Sequence, residues 1–279
     1  MKYATDFWPI SYSEFSSATG RALVNLLEQR SREIVSAQLP VSLDGYCAVC
    51  RSLRSVEFRA NHAAIDEARG MFHLAYSETG ACLTCANNAR RRFAVEMLGD
   101  RGIETRLYLT EHKTGLGDRL KSRFPNVRTS EFLGNYPSGT IIDGIAHEDL
   151  HALSFPAESM DAVLCLDVLE HVNQPMTCLE EITRILAPGG RAVVTFPFHA
   201  YASATVRRSE VVDGVINHLQ PPEYHGNPLG GGSLVFSDFA WDFIEQVQIL
   251  PAKVNFVQYW SALTLQLGGA RFGLLIDKP

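Results

Sequence analysis

Cys47-x2-Cys50 and Cys82-x2-Cys85 carry the most specific chemistry in this 279-residue chain. Each pair sets two thiols on one tight knuckle. Four thiolates around Zn²⁺, at metal–sulfur distances of about 2.3 Å, would close the segment between the pairs into a loop. Four like ligands leave no open position, so the expected role of the zinc is structural. A redox or disulfide role, or an iron–sulfur cluster, would use the same four residues. His62 and His73 are further ligand types nearby, read as part of the intervening segment. Cys165 and Cys178 fall in apolar stretches and read as small core residues.

A second set is acidic. Glu111, Glu131, Asp149 and Asp167 each follow a short apolar run, and Glu170 comes three residues after the last. TRLYLT (105–110), VRTSEF (127–132), IIDGIAHEDL (141–150) and AVLCL (162–166) read as consecutive strands, the last a continuous apolar run suited to burial on both faces. Asn173 is the expected N-cap of the helix that follows, with Pro175 in its first turn. Met176, Leu179, Ile182 and Leu186 form its apolar stripe. Pro188-Gly189-Gly190 is expected to end that helix before a β-branched strand, AVVTF (192–196). Strand, helix and strand in this order make a right-handed crossover. The acids then gather outside the carboxyl ends of a parallel sheet, where open α/β sheets bind ligands. Glu131 lies 20 residues beyond Glu111, a position suited to accepting from both hydroxyls of a ribose. A dinucleotide would need a pyrophosphate site and a clean G-x-G-x-x-G turn, and the sequence contains neither.

The run DAVLCLDVLEHV…CLEEITRILAPGGRAVVTFPF (161–198) resembles the class I S-adenosylmethionine-dependent methyltransferases of the methyltransferase type 11 branch. The resemblance reaches weakly back to Thr105 and forward to FGLLIDKP (272–279), which looks like the last, antiparallel strand of that fold. It implies an α/β Rossmann-like sheet, mostly parallel with its last strand antiparallel, preceded by a small zinc-binding module. The family's acidic, glycine-rich turn corresponds to Glu111-His112-Lys113-Thr114-Gly115-Leu116-Gly117, with Lys113 where the family has its first glycine. That lysine either caps the methionine carboxylate or loosens the site. The resemblance implies cofactor contacts from Glu111, Lys113, Thr114 and Gly115 on this turn. Glu131 and Phe132 follow the second strand. Asp149 and Leu150 are expected to read adenine, and Asp167 and Val168 to pass the methionine end.

These readings divide the chain into a helical and four-cysteine region, 1–100, and a methyltransferase domain, 101–279. The first contains an amphipathic helix within 17–38 and a second opening at Asn87 and Asn88 and closing at Gly99. That second helix carries Arg90, Arg91 and Arg92, expected on a solvated face. Residues 198–236 have no sustained period and are rich in Gly, Pro, His and Tyr, which suits a substrate lid or insertion on the ligand rim. His199, Tyr224 and His225 within it, and His171 beside the rim, are the candidate proton acceptors.

Formal net charge is −6, and residues 101–279 carry the whole deficit, with 14 basic and 20 acidic side chains. No global basic field is therefore available to attract nucleic acid or an anionic membrane. No apolar run approaches a membrane span, and a cytoplasmic location is the default expectation. The expected activity is O-methylation of a small molecule, sugar or glycan. Rival readings are an inactive methyltransferase-like scaffold and an RNA methyltransferase that grips its substrate with the zinc module. The sequence leaves the acceptor and the oligomeric state open.

Overall fold

The structure, a computed structural model, describes residues 6–35, 39–59, 63–66, 71–227 and 229–279. His62 lies outside them. The chain packs as two units: Met1–Asp100 with Val257–Gly273, and Arg101–Phe256 with Leu274–Pro279.

In the first unit, β1 (Asp6–Pro9) pairs antiparallel with residues 257–260. Helix α1 (Ala18–Ile34) starts at Ser17, whose side chain accepts from the Gly20 amide, and buries Val24, Leu27 and Ser31 along one face. This is the amphipathic helix expected from the sequence. Strands β2 (Val41–Cys47) and β3 (Ser52–Phe58) form a hairpin whose turn is the first cysteine knuckle, and β4 (Ala81–Cys82) adds the second knuckle to the edge of β3. Helix α2 (Ala89–Met97) is capped by the Asn88 side chain, which accepts from the Arg91 amide, and Gly99 follows at φ +73°. The arginine triplet departs from expectation. Arg92 is wholly buried, donating to the carbonyls of Gly80 (3.0 Å), Leu265 (3.2 Å) and Thr264. Every residue from Arg92 to Leu98 is buried, so from its first full turn onward the helix is enclosed on all sides and leaves position 92 no solvated face.

The second unit is built on β5 (Leu107–Leu109), β6 (Val127–Thr129), β7 (Met160–Leu166), β8 (Leu186–Thr195) and the final strand. Its hydrogen-bonded order is β6-β5-β7-β8, all parallel, and residues 274–277 then pair antiparallel with residues 191–194. Connections leave β5 in one direction and β7 in the other, so the chain reverses between these two strands. Helix α3 (Gly115–Lys121) links β5 to β6 and α4 (Pro175–Ile185) links β7 to β8. Ala162, Val163, Leu164 and Cys165 at the centre are fully buried, as their unbroken apolar run requires.

Three local expectations are corrected. Residues 141–150 are not one strand: Ile141–Ile142 and Ile145–Ala146 pair as a miniature hairpin. Asp143 (φ +50°) and Gly144 (φ +79°) both take left-handed backbone, the requirement of the tight turn that Asp-Gly favours. Only His147 then continues to the sheet, bridging parallel to Glu131. Asn173 does not cap α4. Its side-chain oxygen accepts from the Val211 amide (3.0 Å) and from Arg207, and Gln174 occupies the cap position. Pro188-Gly189-Gly190 lies within β8, as a bulge between the Leu186–Met160 and Arg191–Ala162 pairs. Gly189 has φ +75°, and a Cβ on Gly190 would stand 2.7 Å from the Ala187 carbonyl, so both glycines are needed.

Leu164→Ala, in the middle of the central strand, is expected to lower stability by about 2–5 kcal/mol, read as a fall in denaturation midpoint at unchanged slope.

Candidate functional site: the sheet rim and two ligand clusters

The rim begins where β5 ends. The Thr110 amide donates to the Leu164 carbonyl (3.0 Å), tying the start of the turn to β7. The Thr114 hydroxyl donates to the Glu111 carboxylate. Glu131 reaches back from beyond β6, and one carboxylate oxygen accepts from the amides of both His112 and Lys113, each at 2.8 Å. The acid that ends the second strand thus holds the glycine-rich turn of the first. A Cβ on Gly117 would lie 3.1 Å from the Thr129 methyl, so this glycine permits close helix-to-strand packing. One on Gly115 would meet nothing within 4 Å, which leaves open space beside the turn. Lys113 is exposed and its φ lies outside the left-handed region. A side chain at this position therefore costs no backbone strain.

Along the rim, Phe132 is exposed and its ring sits 5.4 Å from that of buried His147. Asp149 accepts through one oxygen from the His151 amide (2.9 Å) and ring (2.7 Å). The His151 hydrogen bond holds the Asp149 carboxyl below the usual carboxylate range, against the opposing effect of burial. Leu150 is buried behind it. Asp167 emerges from β7 at φ +51°, and its carboxylate accepts from the Thr195 hydroxyl (2.7 Å). Val168 leads into a single 3₁₀ turn, Leu169–His171.

That turn holds a cluster the sequence only half revealed. Glu170, expected on the open rim with Asp149 and Asp167, is 1% exposed, and neither carboxylate oxygen has a hydrogen-bond partner. His171 Nε2 lies 3.5 Å and His225 Nδ1 3.7 Å from the same Glu170 oxygen, and the two rings stand edge to face at 5.0 Å. His225 arrives on a two-stranded hairpin, β9 (Tyr224–His225) with β10 (Ser233–Leu234). The hairpin is anchored because the Phe236 amide donates to the Glu170 carbonyl at 2.7 Å. The Glu170 carboxylate raises the pKa of His225, with Glu223 adding to the effect and burial opposing it. Of the four candidate proton acceptors, His171 and His225 are brought together. Tyr224 is exposed beside them, and His199 is exposed with Nε2 4.0 Å from Asp238. Residues 206–238, read as irregular, are short hairpins: Val206–Arg207 with Ser237–Asp238, Ser209–Val212 with Val215–His218, and β9 with β10. Glu170 was expected on the rim; its burial, and its grouping with His171 and His225, have no local signal in the sequence.

In the first unit, the four cysteine sulfurs all lie within 4.8 Å of one another, with Cys47–Cys85 at 3.7 Å and Cys50–Cys82 at 3.9 Å. Bonds of about 2.3 Å at a tetrahedral angle put sulfurs about 3.8 Å apart. A disulfide would need about 2.05 Å. The close Cys47–Cys85 contact couples the two thiols, so that ionising one, with its pKa pulled down, pushes that of the other up. Burial opposes the charge of Arg92, and the Cys47, Cys82 and Cys85 sulfurs support it.

Residues 129–194 match the family model described as a methyltransferase domain. No curated protein matches the chain. Among solved structures, the geranyl diphosphate C-methyltransferase of Streptomyces coelicolor A3(2), in complex with Mg²⁺, geranyl diphosphate and S-adenosyl-L-homocysteine, matches at 17% identity. That match covers 38% of this chain and 44% of that one, with a TM-score of 0.31. The phosphoethanolamine N-methyltransferase 2 of Haemonchus contortus, in complex with S-adenosyl-L-methionine, matches at 14% identity over 46% of this chain and 31% of its own, with a TM-score of 0.33. The matches thus span less than half the length of those proteins. The family match falls on the second half of the parallel sheet, and the sheet reverses its strand order at β5 and β7 with the last strand antiparallel. Over residues 129–194 the chain is thus similar to a methyltransferase domain, carried on a Rossmann-like sheet whose last strand is antiparallel.

Glu131→Ala removes the acceptor of two turn amides. The His112 and Lys113 amides are expected to exchange with deuterium at least about tenfold faster in this variant, for a loss of roughly 1.5 kcal/mol or more of local protection, while β7 amides keep their rates.

Proposed function

We propose that the protein transfers the methyl group of S-adenosylmethionine to a hydroxyl of a small molecule, sugar or glycan. The observation that carries this reading is the rim itself, where Glu131 holds the turn that opens beside Gly115, and Asp149 and Asp167 close the following segments. The donor set on this rim fits S-adenosylmethionine. Glu131 keeps one carboxylate oxygen for a ribose hydroxyl while the other holds the turn. Asp149 suits the adenine amino group, with Leu150 behind it, and Phe132 offers an apolar surface to the base. Asp167 suits the ammonium of the methionine end, since a carboxylate stabilises a cation there. Glu111, Thr114, Gly115 and Val168 would line the remainder, and Lys113 stands at the turn without obstructing it.

The bound sulfonium supplies an activated methyl group, so the chain's task is to hold an acceptor oxygen in line with it and to take its proton. His171, His225, Tyr224 and His199 are the proposed groups on that side, with residues 198–236 as the covering insertion. Residues 1–100 would form the module that a structural Zn²⁺ on Cys47, Cys50, Cys82 and Cys85 stabilises, and 101–279 the methyl-transfer domain. Sulfur spacing and the buried Arg92, a positive neighbour for a doubly negative tetrathiolate centre, support that ion. Reduced thiols suit a cytoplasmic setting, and no helix among the described residues is long and apolar enough to cross a membrane.

Calorimetric titration with S-adenosylhomocysteine tests the donor. Wild type is expected to bind, Asp149→Ala to weaken binding about tenfold or more, and Lys113→Gly to change it by less than about fivefold, under 1 kcal/mol. Absence of binding at millimolar concentration by wild type sinks the reading. For the thiolate site, elemental analysis should give about one zinc that Cys47→Ser removes, with a loss of stability of several kcal/mol. A metal-free wild type of unchanged melting temperature would refute it.

A further inference from the structure

Burying a carboxylate that no hydrogen bond reaches is costly. Glu170 is in that position, 1% exposed, and no hydrogen bond reaches either oxygen. Two imidazole nitrogens face it at 3.5 and 3.7 Å, beyond good hydrogen-bond distance. Those separations have a different natural meaning. Two ligand atoms each about 2.1 Å from one cation stand roughly 3.0 Å apart at a right angle and 3.4 Å at a tetrahedral one. The ligand atoms of Glu170, His171 and His225 lie within 4.8 Å of one another.

The surroundings orient the rings for this purpose. His171 Nδ1 lies 2.9 Å from the Leu234 carbonyl, which accepts only, so Nδ1 carries the proton and Nε2 turns its lone pair toward Glu170. The far nitrogen of His225, Nε2, faces the Glu223 carboxylate at 3.5 Å. A carbonyl or carboxylate behind each ligating imidazole is the usual support of a metal-binding histidine.

We propose that Glu170, His171 and His225 bind one divalent first-row transition cation. Two imidazoles and one carboxylate select Mn²⁺, Fe²⁺, Co²⁺ or Zn²⁺ over Mg²⁺ and Ca²⁺, which take oxygen ligands. Three protein ligands leave positions open, unlike the four-sulfur cluster. The chemical class that fills them best is an acceptor with two adjacent oxygens, a vicinal diol or catechol that chelates the ion. This second clause rests on the methyltransferase reading. Coordination lowers the pKa of the bound hydroxyl, whose proton passes to water. The oxygen lone pair then forms the new carbon–oxygen bond as the methyl carbon–sulfur bond breaks, and that bond's electron pair remains on sulfur. His171 and His225 are in this arrangement ligands, not proton acceptors.

The test uses the full chain loaded with one equivalent of Zn²⁺ to fill the sulfur cluster, then titrated with Mn²⁺ and followed by electron paramagnetic resonance. Mn²⁺ is the weakest of the series and avoids thiolates, so it reports on the second cluster alone. About one saturable Mn²⁺ per chain is expected, weakened on the order of tenfold or more by Glu170→Gln and by His225→Ala. His225 stands on a surface hairpin, so its variant should fold, which circular dichroism verifies. If neither Mn²⁺, Co²⁺ nor a second Zn²⁺ binds, or if both variants bind as wild type does, the site is refuted. Catechol should alter the Mn²⁺ spectrum, and an unchanged spectrum overturns the chelating acceptor. S-adenosylhomocysteine titration separates the two proposals. Cation binding without nucleoside binding removes the methyl-transfer reading and keeps the ion, and the reverse removes the ion alone.

Discussion

Parallel pairing between β5 and β7 is the constraint on which the second unit depends. Leu107 stands opposite Ala162 and Leu109 opposite Leu164, and from these strands the chain departs to opposite sides. Both strands must end on the same edge, and their departing connections cannot cover the gap between them. Everything that could meet a ligand is delivered to that gap: the turn after β5, the acid beyond β6, and the turn after β7. The apolar centre supplies the rigidity. Ala162 to Cys165 are shut off from solvent, so the polar residues just beyond them are held by strands that cannot shift without opening the core.

How much of this was legible in the sequence depended on whether the information was local. Strand β7, helix α4 and the strand after it could be read because each has a period or an unbroken apolar run that admits one structure. The third strand could not. Its apolar letters are interrupted by Asp143-Gly144, whose preference for left-handed backbone outweighs the extended preference of the isoleucines around it. Arg92 was read as solvated because charge is a good predictor of exposure on average. Its burial follows from three carbonyls, two of them far along the chain, that no local pattern records. The four cysteines could be assigned to one cluster from spacing alone. The association of His171 and His225 could not be, since it needs the hairpin that carries the second across the first.

The two units contain opposite solutions to the same electrostatic problem. In the first, a buried cation is surrounded by carbonyl oxygens and lies near sulfurs able to carry negative charge. In the second, the buried Glu170 carboxyl makes no hydrogen bond and has histidine nitrogens at 3.5 and 3.7 Å. The former arrangement is complete within the protein, and burying it in a closed module suits a stabilising role. The latter is incomplete, and it lies in the segment of chain that also carries the exposed insertion.

The first unit is discontinuous, and this imposes an order on its birth. Ser31 accepts from the Gly268 amide and the Trp260 ring, Glu28 accepts from the Gly269 amide, and Arg92 needs the carbonyls of Thr264 and Leu265. None of these partners exists when the ribosome has released the first hundred residues. At roughly 5–20 residues per second, about ten to thirty seconds separate the emergence of the cysteine knuckles from that of the segment that completes the first unit. The second unit can fold in that interval. Helix α1 and the buried Arg92 therefore wait for residues 257–273 before their polar groups are satisfied.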